Sequence, residues 1–463
     1  MTISGKVVGL NPADTIAAIA TAPGPSGISV IRISGNKSRE IADKIFFSKI
    51  KPSKASAQTI HYGKIIDPMS EKLLDEVLLA VFATPNSYTG EDMIEISCHG
   101  GNFAASAILK LINKFGARLA EPGEFTKRRV LAGKMDITQA EAVLDLIRAK
   151  NESTYLAAIR QLQGSLSAHI QNASDELKSI VAQMENLLEF EEDHKQTESE
   201  YKKIASKLKL LYTNLKDIVS RNEASKFLRE GVYVAIIGRP NVGKSSLFNR
   251  FCETEKAIVT EIPGTTRDSL EQTIVINDIV VNLIDTAGMK IINQTKGSKK
   301  IEALGIEKSK NWLATADFIL AMFDNSRPID NEDRLVYNAI KDKPHLCVLN
   351  KIDLKSNFNR QFFNGKKPFL ISAKYNKGIN RLKTKIINFY KKRLPDNYLY
   401  LNTRHLDTLN RVLQLLKQNE QEKILEVSIM NLRNALEILG SVTSVVTNEQ
   451  ILDTIFSQFC IGK

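Results

Sequence analysis

The stretch Val232–Asn249 reads VYVAIIGRPNVGKSSLFN, and it decides the fold of the middle of the chain. Val232–Ile237 is an apolar, β-rich run with the composition of a buried strand. It leads into Gly238-Arg-Pro-Asn-Val-Gly243-Lys244-Ser245, and a helical pattern follows. This is GxxxxGK[ST] in the strand–loop–helix setting that the motif requires. Its glycines let backbone N–H groups converge on phosphates, and the helix N-terminus behind them favours negative charge. Lys244 can reach β- and γ-phosphates, and the Ser245 hydroxyl can ligate Mg²⁺.

Three stretches follow in a fixed order. VVNLIDTAG (280–288) is a strand ending at Asp285, which can hold Mg²⁺ through water, while the Gly288 N–H can meet a γ-phosphate. LCVLNKID (346–353) ends in Asn350-Lys351-Ile352-Asp353. The Asp353 carboxylate can accept from guanine N1–H and its amino group, whereas adenine presents an acceptor at N1 and would leave the carboxylate unpaired. FLISAK (369–374) places Ser372-Ala373-Lys374 after another strand, where backbone N–H can meet the guanine oxygen. Each piece alone reads as an α/β turn; four in order from Gly238 to Lys374 read as a guanine-nucleotide domain.

Ras-like GTPases orient water with a glutamine after the DxxG glycine. Met289 stands there and cannot, so hydrolysis must recruit another group. TEIPGTTRD (260–268) supplies threonines for Mg²⁺ and carbonyls for a monovalent cation, and Asn241 carries an oxygen at the phosphate rim. A K⁺ bridging Asn241 and that loop would put positive charge where an arginine finger otherwise acts.

Around this domain the pattern changes. With 463 residues, the chain is too long for one ordinary core, and a length prior suggests about three domains. Before residue 120, short β-rich runs (ISVIRIS, EVLLAVFATP, MIEIS) alternate with helical AASAILKLINKFG, an α+β pattern. Arg32 and Glu95 each sit inside an apolar run, where a charge needs a partner; a surface-facing strand position is the ordinary alternative. His99 beside Gly100-Gly101 invites an oxyanion role, but no GxSxG occurs, and a loop histidine is the simpler reading. From 121 to 228 the chain reads helical, with Leu156, Ile159, Leu162, Leu166 and Ile170 as one apolar stripe. Beyond 395 it is helical again, with Leu406, Leu409, Leu413 and Leu416. One helical domain interrupted by the inserted nucleotide domain is the economical organisation.

The four cysteines, Cys98, Cys252, Cys347 and Cys460, form no CxxC, which argues against a zinc ribbon or disulfide framework and fits a reducing cytoplasm. No apolar run of 18 residues and no secretory leader is apparent, so neither a spanning helix nor a membrane partner is expected. A net charge of +12 allows a polyanionic partner, or reflects a lysine-rich composition alone.

The closing stretch TNEQILDTIFSQFCIGK (447–463) opens with a Thr447/Gln450 capping box. Leu452, Ile455, Phe456 and Phe459 form its apolar face, and Gly462 can end the helix. Cys460 has three readings. Prenylation fails because Gly462 is not aliphatic and Lys463 is not a usual last residue. A buried structural thiol and a redox or nucleophilic thiol beside cationic Lys463 both stand.

GISVIRISG (27–35), SYTGEDMIEISCHGG (87–101), EPGEFTKRRVLAGKMDITQAEAVLDLI (121–147), GRPNVGKSS, TEIPGTTRD and FCIGK (459–463) together resemble the tRNA-modification GTPases of the MnmE/TrmE family, in order along the whole chain. The resemblance implies a multidomain α/β protein. Residues 1–120 would form an N-terminal α+β domain for tetrahydrofolate binding and dimerisation. A discontinuous helical domain (121–228 and 393–463) would carry an inserted P-loop, Ras-like G domain (229–392). It implies a homodimer that joins a flavoprotein of the MnmG/GidA type in a heterotetramer. That assembly installs a carboxymethylaminomethyl (aminomethyl-type) group on C5 of the wobble uridine of certain tRNAs. A tetrahydrofolate derivative, the 5,10-methylene or 5-formyl form, supplies the one-carbon unit.

By motif, the folate positions fall on Arg32, Glu95, Lys134 and Lys463. The GTP positions fall on Asn241, Val242, Gly243, Lys244, Ser245 and Ser246; on Thr260, Glu261, Ile262, Pro263, Gly264, Thr265 and Thr266; on Asp285, Thr286, Ala287 and Gly288; on Asn350, Lys351 and Asp353; and on Ser372, Ala373 and Lys374. K⁺ falls on Asn241, Thr260, Ile262 and Thr265, and Mg²⁺ on Ser245 and Thr266. Glu302 matches the water-orienting glutamate and Cys460 the tail thiol. One departure is MKIINQTKGSKKI (289–301), longer and more lysine-rich than the family pattern. The competing classes are an RNA- or ribosome-associated assembly GTPase without modification chemistry, and a signalling switch. Neither needs the N-terminal domain or the FCIGK tail.

Overall fold

The computed structural model describes residues 14–189, 194–253, 271–285, 316–391, 399, 401–420, 422, 424–444 and 449–463. In chain order its elements begin with β1 (Ile16–Ile19), β2 (Ile28–Ser34), α1 (Ser38–Ile45), β3 (Phe46–Phe47), β4 (Thr59–Asp67), β5 (Lys72–Phe82) and β6 (Met93–His99). Then come α2 (Asn102–Lys114), β7 (Arg118–Leu119), α3 (Glu124–Leu131), α4 (Ile137–Arg148), α5 (Glu152–Leu162), α6 (Ser165–Glu189) and α7 (His194–Glu230). The nucleotide-type region holds β8 (Val232–Gly238), α8 (Lys244–Glu253), β9 (Glu271–Ile276), β10 (Ile279–Asp285), β11 (Phe318–Asp324), α9 (Asn331–Ala339), β12 (His345–Asn350), β13 (Phe369–Leu370) and α10 (Ile379–Lys391). The chain closes with α11 (Thr403–Asn419), α12 (Leu425–Gly440) and α13 (Glu449–Phe456).

The chain divides into two compact units, one of residues 1–144, 162–181 and 429–463, the other of 145–161 and 182–428. The first is built on a seven-stranded sheet ordered β3-β4-β5-β6-β2-β1-β7. Alternation fixes its two faces. Ile31, Ile33, Leu79, Val81, Ile94 and Ile96 point to the side covered by α1 and α2, through Ile41, Ile45, Ile108 and Ile112. At β1 the opposite face is covered too: Ile16 and Ala18 pack with Phe125 of α3. A further cluster joins Val130, Ile137, Ala140 and Leu144 to Leu452 and Phe456 of α13 and to Phe459. The chain's end thus returns to the unit in which the chain began.

The second unit contains a six-stranded sheet ordered β13-β12-β11-β8-β10-β9, parallel except where β9 runs antiparallel to β10. All seven residues of β11 are buried, as a strand covered on both faces requires. Phe318, Leu320 and Met322 meet Leu247 and Phe251 of α8 and Leu382 and Ile386 of α10. Ile319, Ala321 and Phe323 meet Val336 of α9 and Ile340, which caps its end. From β8 the chain goes to β9 and β10 on one side and then to β11 on the other. The carboxyl end of β8 is therefore a topological switch point, where open α/β sheets bind ligands.

Two expectations change. The stripe from Leu156 to Ile170 is not one helix face: Gly164, at φ +88°, separates α5 from α6. Leu156 is 44% exposed, and α5 buries Thr154, Ala157, Ala158 and Gln161 instead. Nor does Gly462 end the last helix, which stops at Phe456. Thr447 lies outside the described residues.

Candidate functional site

Three strands deliver the second unit's cleft. β8 ends at Gly238, and its register against β11 and β10 sets Met322 opposite Gly238 and Asp285 opposite Ile236. β12 ends at Asn350, opposite Asp324. The cleft at these ends has a volume of about 750 Å³ and is lined by Asn241, Gly243, Lys244, Ser245, Ser246, Asn350, Lys351, Asp353, Ser372, Ala373 and Lys374 among others. That is ample for a nucleotide. Val242, the remaining described loop position, is buried beneath it.

Asn350 ties three motifs together. Its Nδ2 donates to the Val242 carbonyl at 2.8 Å, and its Oδ1 accepts the Ala373 N–H at 3.0 Å. Of the Ser372-Ala373-Lys374 amides offered to the guanine oxygen, that of Ala373 is therefore held by Asn350. A Cβ on Gly243 would collide with Asn350 Nδ2, so the loop can close on β12 only with glycine there. Asp353 accepts from the Ser372 hydroxyl, which fixes its outer face for a base edge. Lys244 is buried, its ammonium donating to the Gly238 and Arg239 carbonyls at 2.9 and 3.0 Å. Ser245 and Asn241 are exposed at the mouth, with Asn241 at φ +61°.

Sequence reasoning passed over Asp324, Arg239 and Arg250 here. Lys351 donates to Asp324 at 2.6 Å. Burial works to raise the Asp324 carboxyl, but the Lys351 ammonium and the Ser326 hydroxyl and amide outweigh it and hold it below the usual carboxylate range. Arg239, second in the phosphate loop, pairs with Asp330, the N-cap of α9. Arg250 of α8 donates to the Ala373 and Lys374 carbonyls, both at 3.2 Å. No local motif marks these roles, because the pairings with Lys351, Asp330 and Ala373 each reach at least 27 residues along the chain. Thr260, Glu261, Ile262, Pro263, Gly264, Thr265, Thr266, Thr286, Ala287, Gly288 and Glu302 lie outside the described residues, and Asp285 is placed by its backbone alone.

The first unit brings three of the four folate candidates together. β2 and β6 pair with Arg32 opposite Glu95, and Arg32 Nε donates to Glu95 Oε1 at 2.7 Å. Arg32 Nη1 donates to the Gly462 carbonyl at 3.1 Å, and the Phe125 N–H donates to the Lys463 carbonyl at 3.2 Å. These bonds seat the tail beside the pair. Gly462 has φ +95°, and a Cβ there would strike the Ile19 carbonyl and come within 2.8 Å of Ala20 Cα. Burial, with Arg32 adding repulsion and Glu95 opposing both, pushes the Lys463 ammonium below the usual lysine value. The Lys134 ammonium donates to the Pro85 carbonyl, at the loop that carries Tyr88. Tyr88, unassigned by sequence, has Arg32 5.6 Å and Arg129 5.0 Å from its ring centre.

Two readings are corrected. Cys460 is exposed, which removes the buried-thiol alternative. His99 is no loop residue but the last of β6, its Nδ1 2.6 Å from Asp75.

Two family models match the chain, one after the other. The family model described as the MnmE helical domain matches residues 137–460, and that of the GTP-binding protein TrmE N-terminus matches residues 15–134. The tRNA modification GTPase MnmE of Alkaliphilus oremlandii is 39% identical, over 97% of this chain and 99% of its own. The Aquifex aeolicus protein of that name is 41% identical, over 97% and 100%. The one from Clostridioides difficile is 40% identical, over 97% and 99%.

Proposed function

This chain belongs to the MnmE/TrmE family of tRNA modification GTPases, and from that premise we propose that it hydrolyses GTP to drive C5 modification of a tRNA wobble uridine. It would act in the cytoplasm as a homodimer, paired with a flavoprotein of the MnmG/GidA type. Among the described residues no helix is long and apolar enough to cross a membrane.

What carries the reading is the presence, in one chain, of both sites just described. The cleft is organised by Asn350, with Lys244 at the phosphate end and Asp353 at the base end. The other unit seats Gly462 and Lys463 beside Arg32 and Glu95. An assembly GTPase has no use for the second.

In the cleft, the loop amides and Lys244 would hold the phosphates, and Asp353 would select guanine. Ser245, exposed at the mouth, suits a nucleotide-bound Mg²⁺, with Thr266 as its second protein oxygen. Asn241, with its side chain at the same rim, suits a K⁺ shared with Thr260, Ile262 and Thr265. Glu302 would orient the attacking water. The second site combines a carboxylate, a guanidinium, an aromatic ring and an ammonium of lowered basicity. This donor set fits a pterin, whose amino and ring N–H groups would meet Glu95, with Lys134 and Lys463 available to the folate carboxylates. Bound folate supplies the one-carbon unit. Cys460, exposed and three residues before Lys463, would be the candidate thiol. The domains would run 1–120, 121–228 with 393–463, and 229–392.

Reconstitution tests this reading. The protein is combined with its flavoprotein, GTP, a folate one-carbon donor and tRNA lacking the modification. The uridine should gain mass only when all are present. Cys460→Ser should abolish the gain and spare GTP turnover. A full gain with that variant would reassign the thiol, and wild-type protein with neither turnover nor gain would sink the function.

A further inference from the structure

The N-terminus of α5 is capped by residues from two places. The first amides of a helix have no partner within it. Asn151 satisfies one in the ordinary way, its Oδ1 accepting the Thr154 N–H at 2.8 Å. The Glu152 and Ser153 amides donate elsewhere, to the carboxylate of Asp278, at 2.6 and 2.9 Å. The Ser153 hydroxyl donates to the same carboxylate, and Asn151 Nδ2 donates to the Asp278 backbone carbonyl at 2.9 Å. One residue at the tip of the β9–β10 hairpin therefore takes four hydrogen bonds from one turn of a helix more than 120 residues earlier.

Asp278 is not what the turn itself prefers. Asn277 and Asp278 form a two-residue connection with φ +47° and +68°. Such turns favour glycine in the second place, because an L side chain is disfavoured in the left-handed region. Glycine, however, has no carboxylate to offer the positive end of α5. The side chain's contact with the helix accounts for a residue that the turn geometry disfavours.

The position of this hairpin gives the contact its meaning. β9 starts at Glu271, just after the TEIPGTTRD stretch, and β10 ends at Asp285, the first residue of DTAG. Both loops expected to sense the nucleotide are direct continuations of its strands. β10 is hydrogen-bonded on both sides, to β8 and to β9, which keeps it straight and stiff between its two ends. Asp278 to Asp285 spans seven residues, about 23 Å at the rise of an extended strand. Near the tip, Gly231, which joins α7 to β8, lies so close to Val280 that a Cβ would come within 2.7 Å of its Cγ1 and carbonyl. Both α5 and the end of α7 thus bear on β10.

We infer that Asp278 is a positioning residue that couples the nucleotide state of the G domain to α5, through the β9–β10 hairpin. The inference rests on the GTPase reading above. Loop rearrangement at one end of β10 shifts the carboxylate at the other, and the α5 amides gain or lose their acceptor. α5 is joined to α6 by the short break at Gly164, so the signal passes to the helical part of the chain.

The test is amide hydrogen exchange on the full-length protein in K⁺, with GDP and with a non-hydrolysable GTP analogue. In the wild type, exchange over 151–158 should differ between the two nucleotides. Asp278→Gly keeps the turn, relieves its backbone and deletes only the carboxylate. It should speed exchange at Glu152 and Ser153 about tenfold, the scale of a lost charge-assisted hydrogen bond, and erase the nucleotide difference. Asp278→Asn should fall between, and GTP turnover should stay within about twofold in both. Wild-type protein that binds both nucleotides but shows no difference over 151–158 overturns the coupling alone, as does an Asp278→Gly protein that keeps the difference. Failure of the wild type to bind guanine nucleotides overturns the GTPase reading, and the coupling with it.

Discussion

Gly462→Ala should undock the tail without unfolding the unit that holds it. The substituted residue would sit at φ +95°, which costs about 1–2 kcal/mol for an L side chain. Its Cβ would also strike the Ile19 carbonyl and lie 2.8 Å from Ala20 Cα, an overpacking of about 1–3 kcal/mol against strand backbone that cannot retreat. The sum, about 2–5 kcal/mol, meets two restraining bonds. The Arg32-to-Gly462 bond has a charged donor and is worth about 1.5–3 kcal/mol, and the Phe125-to-Lys463 bond about 0.5–1.5 kcal/mol. Cost and restraint match, so the docked tail should fall from nearly the whole population to a half or less. α13 should hold, because Leu452, Phe456 and Phe459 are buried and contribute about 1.5–3 kcal/mol each. Three readouts follow: faster amide exchange at Phe125, a melting temperature within a few degrees of wild type, and tRNA modification reduced to a half or less while GTP turnover persists. Unchanged Phe125 protection together with full modification would refute the reasoning.

Four further outcomes follow from the sites. GTP turnover should be much faster in KCl than in NaCl at equal ionic strength; equal rates would remove the cation expected at Asn241. Glu302→Ala should slow turnover while nucleotide affinity stays put, and unchanged turnover would move the water-orienting role elsewhere. Asp353→Asn should weaken GTP about 10- to 150-fold, the equivalent of about 1.5–3 kcal/mol for a charged hydrogen bond, and improve the relative binding of xanthosine triphosphate; calorimetry with both nucleotides decides. The Asp324 carboxyl is held below its unfolded value, so its contribution is present above about pH 4 and lost as pH falls through the lower folded value. The melting temperature of Asp324→Asn should therefore lie furthest below wild type near pH 6–7 and converge with it below about pH 4.

What could be read in advance follows from how locally each feature is encoded. The phosphate loop was legible because its chemistry needs glycines, a lysine and a serine at fixed spacing beside a strand. Arg32 and Glu95 were visible as charges in apolar runs, but their pairing depends on a strand register across 63 residues. Periodicity misled at α5 and α6, because leucines continued at helical spacing across Gly164 while the backbone did not. The apolar face of the last helix was read correctly at Leu452 and Phe456, whereas Phe459, also buried, lies beyond the helix end. The task of Gly462 was not, since closeness to β1 leaves no local trace. Asn277-Asp278 suggests a turn to any reader, yet nothing near it names α5 as the partner.

The return of α13 to α3 has a consequence for how the protein is made. Lys127 pairs with Asp453 across 326 residues, at the side of the cluster that Leu452 and Phe456 complete. At a synthesis rate of about 5–20 residues per second, the apolar face of α3 and α4 waits roughly 15–65 s for its cover. The sheet before it and the whole nucleotide domain can form meanwhile from contacts nearer in sequence. The first unit to leave the ribosome is thus the last to be finished, and a chain released a dozen residues early would carry an intact G domain beside an open, aggregation-prone face.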